Sequence, residues 1–392
     1  MKILIIHTHY HFKGGEDAVV EHEIELLKQY YEVEVLYFQN HLGFQGALQF
    51  LLSIWNFFSM REVKKKAKEF QPDIIHVHNW HFALGPLFFR AISKLGIPIV
   101  HTIHNYRLLC PSAILFHNQN LFTNSLTQRF PWTSIRNKVY RSSRTQTFWV
   151  AFTIWLHKKI GTWNKIDTYV CLTPFAVEVF QKSNFGISKE RFVIKPNFTT
   201  VIENSNAIKR EKHYLFIGRL SEEKGLEILI KAFQNTSFKV RIAGDGPLKE
   251  KVLKVCEKST NIIYLGNLSK EKVIEELYKC EALIFPSVWY EGMPMTIIEA
   301  FSTSAPVIAS RIGAMSSMIS DAENGFLFES GNENDLIRTV NKFNLLSSSE
   351  KEQIYLNTYH SYQNQYSPKL QKLYFDSIYN KVLKEKKDTI SN

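Results

Sequence analysis

Acidic side chains are missing from a long stretch of this sequence. Residues 74–166 carry 11 Lys and Arg and not one Asp or Glu. Solubility does not require excluding acids from so long a run, so the gap points to an anionic partner: a membrane surface, a lipid phosphate or nucleic acid. The imbalance is local. Net charge is +11 over the whole chain, but residues 1–200 hold 23 basic against 13 acidic side chains, while residues 201–392 hold 25 against 24. Cysteine is scarce as well: Cys110, Cys171, Cys256 and Cys280 lie far apart with no Cys-x-x-Cys. That fits a reduced, cytoplasmic setting without a zinc site. No apolar run reaches the roughly 18–20 residues of a membrane span. The start, Met1-Lys2-Ile3-Leu4-Ile5-Ile6-His7, is too short in apolar residues for a signal-peptide core and has no small-residue cleavage site. It reads as a first buried strand. There is no internal repeat and no low-complexity tract. No helix-turn-helix, zinc or RNP pattern is present, so nucleic acid is not expected among the partners.

What the chain does have is alternation. At 392 residues and 45% hydrophobic content it is long enough for two domains with their own cores. Strands are expected at 3–6, 33–38, 74–78 and 97–102, with a helix over 18–29 between the first two, and again at 167–173 and 192–195. After a polar linker at 201–213, the pattern resumes with strands at 214–217, 238–243, 262–265, 282–285, 306–310 and 326–328. Strand–helix alternation of this kind predicts doubly wound parallel sheets. The expected domains are 1–200 and 201–366, both Rossmann-like, with residues 367–392 forming a last helix that crosses back to the first domain.

Five stretches stand out. Tyr290-Glu291-Gly292-Met293-Pro294-Met295-Thr296-Ile297-Ile298-Glu299 follows a buried strand, and Pro294 suits the first turn of a helix. Glu291 then sits on the strand-to-helix loop and Glu299 inside the helix, near amides that attract anions. By spacing alone this reads more readily as a surface loop with an incidental Glu pair. Gly218-Arg219-Leu220-Ser221-Glu222-Glu223-Lys224-Gly225 follows another strand, and Ser221 is expected to cap a helix running through Phe233, with Arg219 and Lys224 flanking the cap as a diphosphate clamp. Gly244 and Gly246 end the next strand, where a base or ribose could approach bare backbone. In the first half, Gly14-Gly15-Glu16 follows the first strand, and His101-Thr102-Ile103-His104-Asn105-Tyr106-Arg107-Leu108-Leu109-Cys110-Pro111 follows the fourth. A strand-end histidine there either faces a ligand or serves as a hydrogen-bonded structural residue. His76 and His78 lack a carboxylate or cysteine at ligand spacing and are not read as metal ligands.

Together these residues resemble the family 4 retaining glycosyltransferases, GT-B enzymes that move a sugar from a nucleotide diphosphate donor. Glu-x7-Glu with Gly-Met-Pro inside it, the Arg219 and Lys224 turn, the Gly244–Gly246 loop and the Gly-Gly-x-Glu loop occur in the family's order. The His104 to Pro111 string is similar to a bacterial surface-polysaccharide subgroup. Pro196-Asn197-Phe198 is similar to the family's Pro-Asn-Gly, with Phe198 where Gly is usual. The resemblance implies two doubly wound domains facing across a cleft that closes over the substrates. It implies donor binding by Gly14, Gly15, Arg219, Lys224, Gly244, Gly246, Glu291, Gly292, Met293, Pro294, Met295 and Glu299, and catalysis by His104, Glu291, Arg219 and Lys224. In that scheme Glu299 partners ribose hydroxyls, Glu291 and His104 hold the sugar, and the departing diphosphate takes the acceptor proton. No cofactor or metal is implied, and the chain contains no Asp-x-Asp, as a metal-dependent GT-A mechanism would need.

The expected partners are a nucleotide-diphosphate sugar, a lipid-linked or other saccharide acceptor, and an anionic membrane surface. Residues 44–68 and 132–163 mix Trp and Phe with Arg and Lys, as a helix lying on the inner face of a cell membrane would. Helices packed on their own sheet with basic outer faces give the same pattern. A nucleotide-sugar epimerase on the same fold, or a non-catalytic membrane-surface protein, are the alternatives.

Overall fold

The computed structural model describes residues 1–11, 14–200 and 210–391. Phe12 and Lys13 of the first loop, and residues 201–209 of the expected linker, lie outside the described residues.

The chain divides into two compact units. One comprises 1–115, 123–197 and 369–392, and the other 116–122 and 198–368. Each is organised by a six-stranded, all-parallel sheet. The first contains β1 (Lys2–His9), β2 (Glu32–Gln39), β3 (Ile74–Val77), β4 (Ile99–Ile103), β7 (Thr168–Cys171) and β8 (Phe192–Ile194), in the order β2-β1-β3-β4-β7-β8. A two-stranded hairpin, β5 (Phe116–His117) with β6 (Asn120–Leu121), falls outside both large sheets. The second sheet contains β9 (Tyr214–Ile217), β10 (Val240–Ala243), β11 (Ile262–Gly266), β12 (Ala282–Phe285), β13 (Val307–Ser310) and β14 (Gly325–Phe328), in the order β11-β10-β9-β12-β13-β14.

The pairing follows from the apolar runs. Parallel sheets are covered on both faces, so their strands read as continuous Ile, Val and Leu. Ile3 to Ile6, Ile74, Ile75 and Val77 are all fully buried, as are Ala282, Leu283 and Ile284. In register, Ile3 lies opposite Val33 on one side and Ile74 on the other. In the second sheet Leu215 lies opposite Arg241 and Leu283.

Strand order reverses at β1/β3 in the first sheet and at β9/β12 in the second. Beyond the carboxyl ends of strands at such a reversal, the connections leave in opposite directions and a crevice opens. Each of the five stretches singled out above starts at one of these ends or beside it.

Two local expectations need correction. Ser221 does not cap the helix: its hydroxyl donates to the Glu223 carboxylate at 2.6 Å, residues Glu222–Lys224 form a tight 3-10 turn, and the helix proper is Leu226–Gln234. The cause is Gly225, whose left-handed φ of +69° breaks the helix one residue before it restarts. Pro294 precedes the helix Met295–Ser302 as its cap residue instead of lying in its first turn. By contrast Thr173, ahead of Pro174, accepts from the Ala176 amide at 3.2 Å as a cap should.

Candidate functional site

In the second unit the site grows from a close backbone approach. A Cβ on Gly225 would stand 1.8 Å from the Pro286 carbonyl oxygen, so only glycine lets the turn after β9 touch the end of β12. Val288 N then donates to the Glu223 carbonyl at 2.9 Å and fastens the two loops. This brings Lys224 to Glu291: Nζ lies 2.7 Å from Oε1, and Ser287 Oγ donates to the same oxygen at 2.7 Å. The side chains are 22% and 7% exposed, so this is a largely buried pair, and loss of either partner would leave the other's charge uncompensated in a poorly solvated place. The ammonium also lies over the rings of Phe285 and Trp289.

Beside it the ends of β9 and β10 nest by the same device. A Cβ on Gly244 would meet the Gly218 carbonyl oxygen at 1.9 Å, and one on Gly246 would crowd the Leu220 backbone within 3 Å. The loops thus held border a hollow of about 310 Å³, lined by Ile217, Gly218, Arg219, Gly244, Asp245 and Asn267 among others. Arg219 is exposed there, with no ion-pair partner among the described residues. The structure therefore joins Lys224 to Glu291 and sets Arg219 with Gly244 at this hollow. Glu299 lies half-buried in the helix Met295–Ser302, and burial raises its carboxyl above the usual range against the pull of Lys270. Met293 and Pro294 are buried, and Gly292 is partly so.

In the first unit, Gly14 and Gly15 are exposed, and a Cβ on either would meet nothing within 4 Å. Packing does not demand glycine at these two positions. What holds Gly14 is Asp17. Its Oδ2 accepts from the Gly14 amide at 2.9 Å, and its Oδ1 lies 2.9 Å from His7 Nε2 and 2.8 Å from His9 Nδ1. These three side chains also present metal-ligating atoms within 4.8 Å of one another; here one nitrogen of each ring is engaged by the carboxylate, and His7 Nδ1 is buried without a hydrogen-bond partner. Sequence reasoning passed over Asp17 and its histidines. The signal was His7-x-His9, two positions on one face of one strand beside a glycine loop.

His104 ends a buried ladder of rings. Its Nε2 lies 3.0 Å from His78 Nδ1, His78 stacks on His76, and His76 bonds Thr102 Oγ1 and the Tyr379 hydroxyl, each at 2.8 Å. Burial, reinforced by the Lys195 charge and by neighbouring histidines, lowers all three, His76 to about 3. At neutral pH they are uncharged, able to donate and accept hydrogen bonds without carrying charge. Below them Lys195 Nζ meets Glu23 Oε1 at 2.6 Å with both side chains fully buried, and Gln371 Oε1 at 3.2 Å.

A small hollow of about 20 Å³ lies between His104, His78, His81, Tyr10, Glu16, Asn105 and Arg107. Glu16 is partly buried, 3.5 Å from Asn105 Nδ2, and burial with the nearby Asp17 charge pushes its pKa up to about 8. At neutral pH it is mostly protonated. Of the basic stretches, Lys64 and Lys65 are exposed on the helix Phe57–Phe70. Lys66 pairs with Glu34, and Lys158 donates to Asn184, so these two are committed within the unit.

Both halves of the sequence match known families. Residues 12–201 match the family described as Glycosyltransferase Family 4, and residues 197–359 the family described as Glycosyl transferases group 1. The chain is similar to an uncharacterized glycosyltransferase of Methanocaldococcus jannaschii, 25% identical over 86% of each chain. Among solved structures it is similar to Anabaena HepE in complex with UDP, with a TM-score of 0.68 and 17% identity over 96% of this chain and 99% of that one. It is also similar to the lipopolysaccharide outer core galactosyltransferase WaaB, with a TM-score of 0.64 and 19% identity over 99% of each.

Proposed function

From a chain that is a glycosyltransferase of GT-B fold, we propose that it transfers a sugar with retention of configuration from a nucleotide diphosphate to a lipid-linked saccharide. It belongs, on this reading, to the family 4 enzymes of surface-polysaccharide synthesis and works without a metal. The observation that carries it is the Lys224–Glu291 pair, locked by Gly225 at the strand-order reversal of the second sheet. Beside it lies the hollow with Arg219, and the solved HepE structure is in complex with UDP.

The roles follow from charge. As the bond from the anomeric carbon to the diphosphate breaks, negative charge grows on the leaving oxygens, and Lys224 and Arg219 stabilise it together with the amides near Gly292–Met295. Glu291, its oxygen already aligned by Ser287, binds sugar hydroxyls. Glu299 takes the ribose hydroxyls. His104, neutral, holds a sugar hydroxyl without adding charge. The acceptor oxygen bonds to the anomeric carbon on the face the diphosphate leaves, and its proton passes to a diphosphate oxygen, so no side chain acts as base. The acid-free stretch of the first unit and its basic residues support a place on the inner, anionic face of a cell membrane.

Calorimetry against a panel of nucleotide sugars, followed by NMR of the first product formed, tests this. Binding of one donor and a product whose anomeric configuration equals the donor's are expected. An inverted product refutes retention, and release of an altered free nucleotide sugar without acceptor replaces transfer by epimerisation.

A further inference from the structure

The helix Gly43–Leu52 is apolar, yet not one of its side chains is buried. Phe44 is 85% exposed, with Leu42, Leu48 and Leu51 each about half exposed around it. Such a face ordinarily has an occupant. The helix is held by its ends and polar groups: Gln49 bridges to β2 through the Gln39 carbonyl and the His41 amide, and Trp149 Nε1 donates to the Phe50 carbonyl at 2.8 Å. Behind it lies a hollow of about 400 Å³, bordered by this helix, by Tyr10 and His81, and by Arg107, Tyr140 and Arg141.

The floor of the hollow is cationic. The Arg107 and Arg141 guanidiniums each lie 5.3 Å from the Tyr140 ring centre, and Arg141 also covers Phe82. Stacking fixes both planes and leaves N–H groups for a ligand. Arg107 gives one nitrogen to the Pro111 carbonyl, but its Nε is buried with no hydrogen-bond partner. His81 is 6% exposed, and its Nε2 is likewise buried and without a partner. Lys138, Arg141 and Ser142 all hold left-handed backbone, at φ of 49° to 53°, a conformation uncommon for non-glycine residues. Tyr10, His81 and Arg107 line both this hollow and the one that holds His104 and Glu16.

We propose that this hollow seats the phosphate-bearing head of a lipid-linked acceptor, on Arg107, Arg141 and His81, with its hydrocarbon tail laid over Leu42, Phe44, Leu48 and Leu51. The inference rests on the transfer reading only in calling the ligand an acceptor. A charged head on paired guanidiniums and an apolar tail on an exposed apolar helix are the two demands of an amphiphile, and the two surfaces adjoin. The shared lining by Tyr10, His81 and Arg107 lets a group beyond the phosphate reach the His104 hollow.

The test uses the full chain with saturating UDP, so that a diphosphate site of the second unit is filled, and calorimetry with farnesyl pyrophosphate and isopentenyl pyrophosphate. The proposal expects farnesyl pyrophosphate to bind at least tenfold tighter than the short-tailed probe. Arg141→Gln should weaken both about tenfold. Phe44→Asp with Leu48→Asp, both exposed and so harmless to folding, should weaken only the farnesyl compound. Equal affinity in wild type and Arg141→Gln, no benefit from the longer tail, or loss of binding when UDP is present each overturns it. UDP affinity, titrated separately, should be the same in every variant; failure to bind UDP at all would sink the donor reading while leaving the probe comparison decisive for the hollow.

Discussion

Replacing Gly225 by alanine tests the architecture of the Lys224–Glu291 site most sharply. Two costs add. Alanine at a φ of +69° carries about 1–2 kcal/mol of left-handed strain. Its Cβ would also stand 1.8 Å from the Pro286 carbonyl oxygen, and the two loops must part by about 1.5 Å before the contact is ordinary. Overpacking of that kind costs about 1–3 kcal/mol, for a total of about 3 kcal/mol. The displacement falls on the residue next to Lys224, so the 2.7 Å bond to Glu291 should break as well. Gly266 supplies the control: its φ is +77°, yet a Cβ there would meet nothing within 4 Å. Gly266→Ala should show the strain alone. Hydrogen exchange in urea, followed peptide by peptide over Tyr214–Ile217 and Ala282–Phe285, reports the second unit by itself. Calorimetry with UDP reports the site. Gly225→Ala should lose about 3 kcal/mol of protection and at least tenfold in affinity, and Gly266→Ala about 1 kcal/mol with affinity intact. If the two variants behave alike, close approach at Pro286 does not shape this site.

Three further outcomes follow from the same contacts. Lys224→Met leaves the Glu291 carboxylate buried without its cation and should cost about 2 kcal/mol, reduced from the fully buried case because Lys224 keeps some access to water; in a double-mutant cycle with Glu291→Gln, denaturation should show coupling of at least about 1 kcal/mol. Glu16 binds its proton more tightly folded than unfolded, so its contribution to stability is complete below about pH 4.5, the unfolded value, and is lost as pH rises through about 8; urea midpoints at pH 6 and 9 should converge for Glu16→Gln relative to wild type. Asp17→Ala strips partners from His7, His9 and the Gly14 amide and should cost about 2 kcal/mol, measured by denaturation with UDP absent.

Much of the scaffold could be read directly, because parallel strands buried on both faces are runs of Ile, Val and Leu with nothing else to be. Ile74–Val77 and Ala282–Phe285 needed no partner to be recognised. The order of glycines and charges at the strand ends placed Lys224 and Glu291 on neighbouring loops. What stayed hidden depends on contacts distant in sequence. Gly225 looks like any turn glycine until Pro286 is set against it, 61 positions away. Ser221 obeyed local capping rules and was overruled by that same glycine. The His76–His78–His104 ladder needs three separate segments in register, and the hairpin Phe116–Leu121 is too short for any periodicity to mark it. Lys195, alternating into a strand end, gave no sign that Glu23 would be waiting inside.

The assignment of the helix Pro368–Ser391 to the same compact unit as β1 has a consequence for how the protein matures. Gln371 reaches Lys195, and Tyr379 reaches His76, so an interior begun around β1 and β3 is closed by a segment synthesised much later. Until then a lysine and a glutamate destined for a dry interior remain wet, and the nascent chain must keep that half open while some 170 intervening residues, 198–368, are synthesised and fold on their own. Translation, not diffusion, thus sets the earliest moment at which the interior around Lys195 and His76 can be closed.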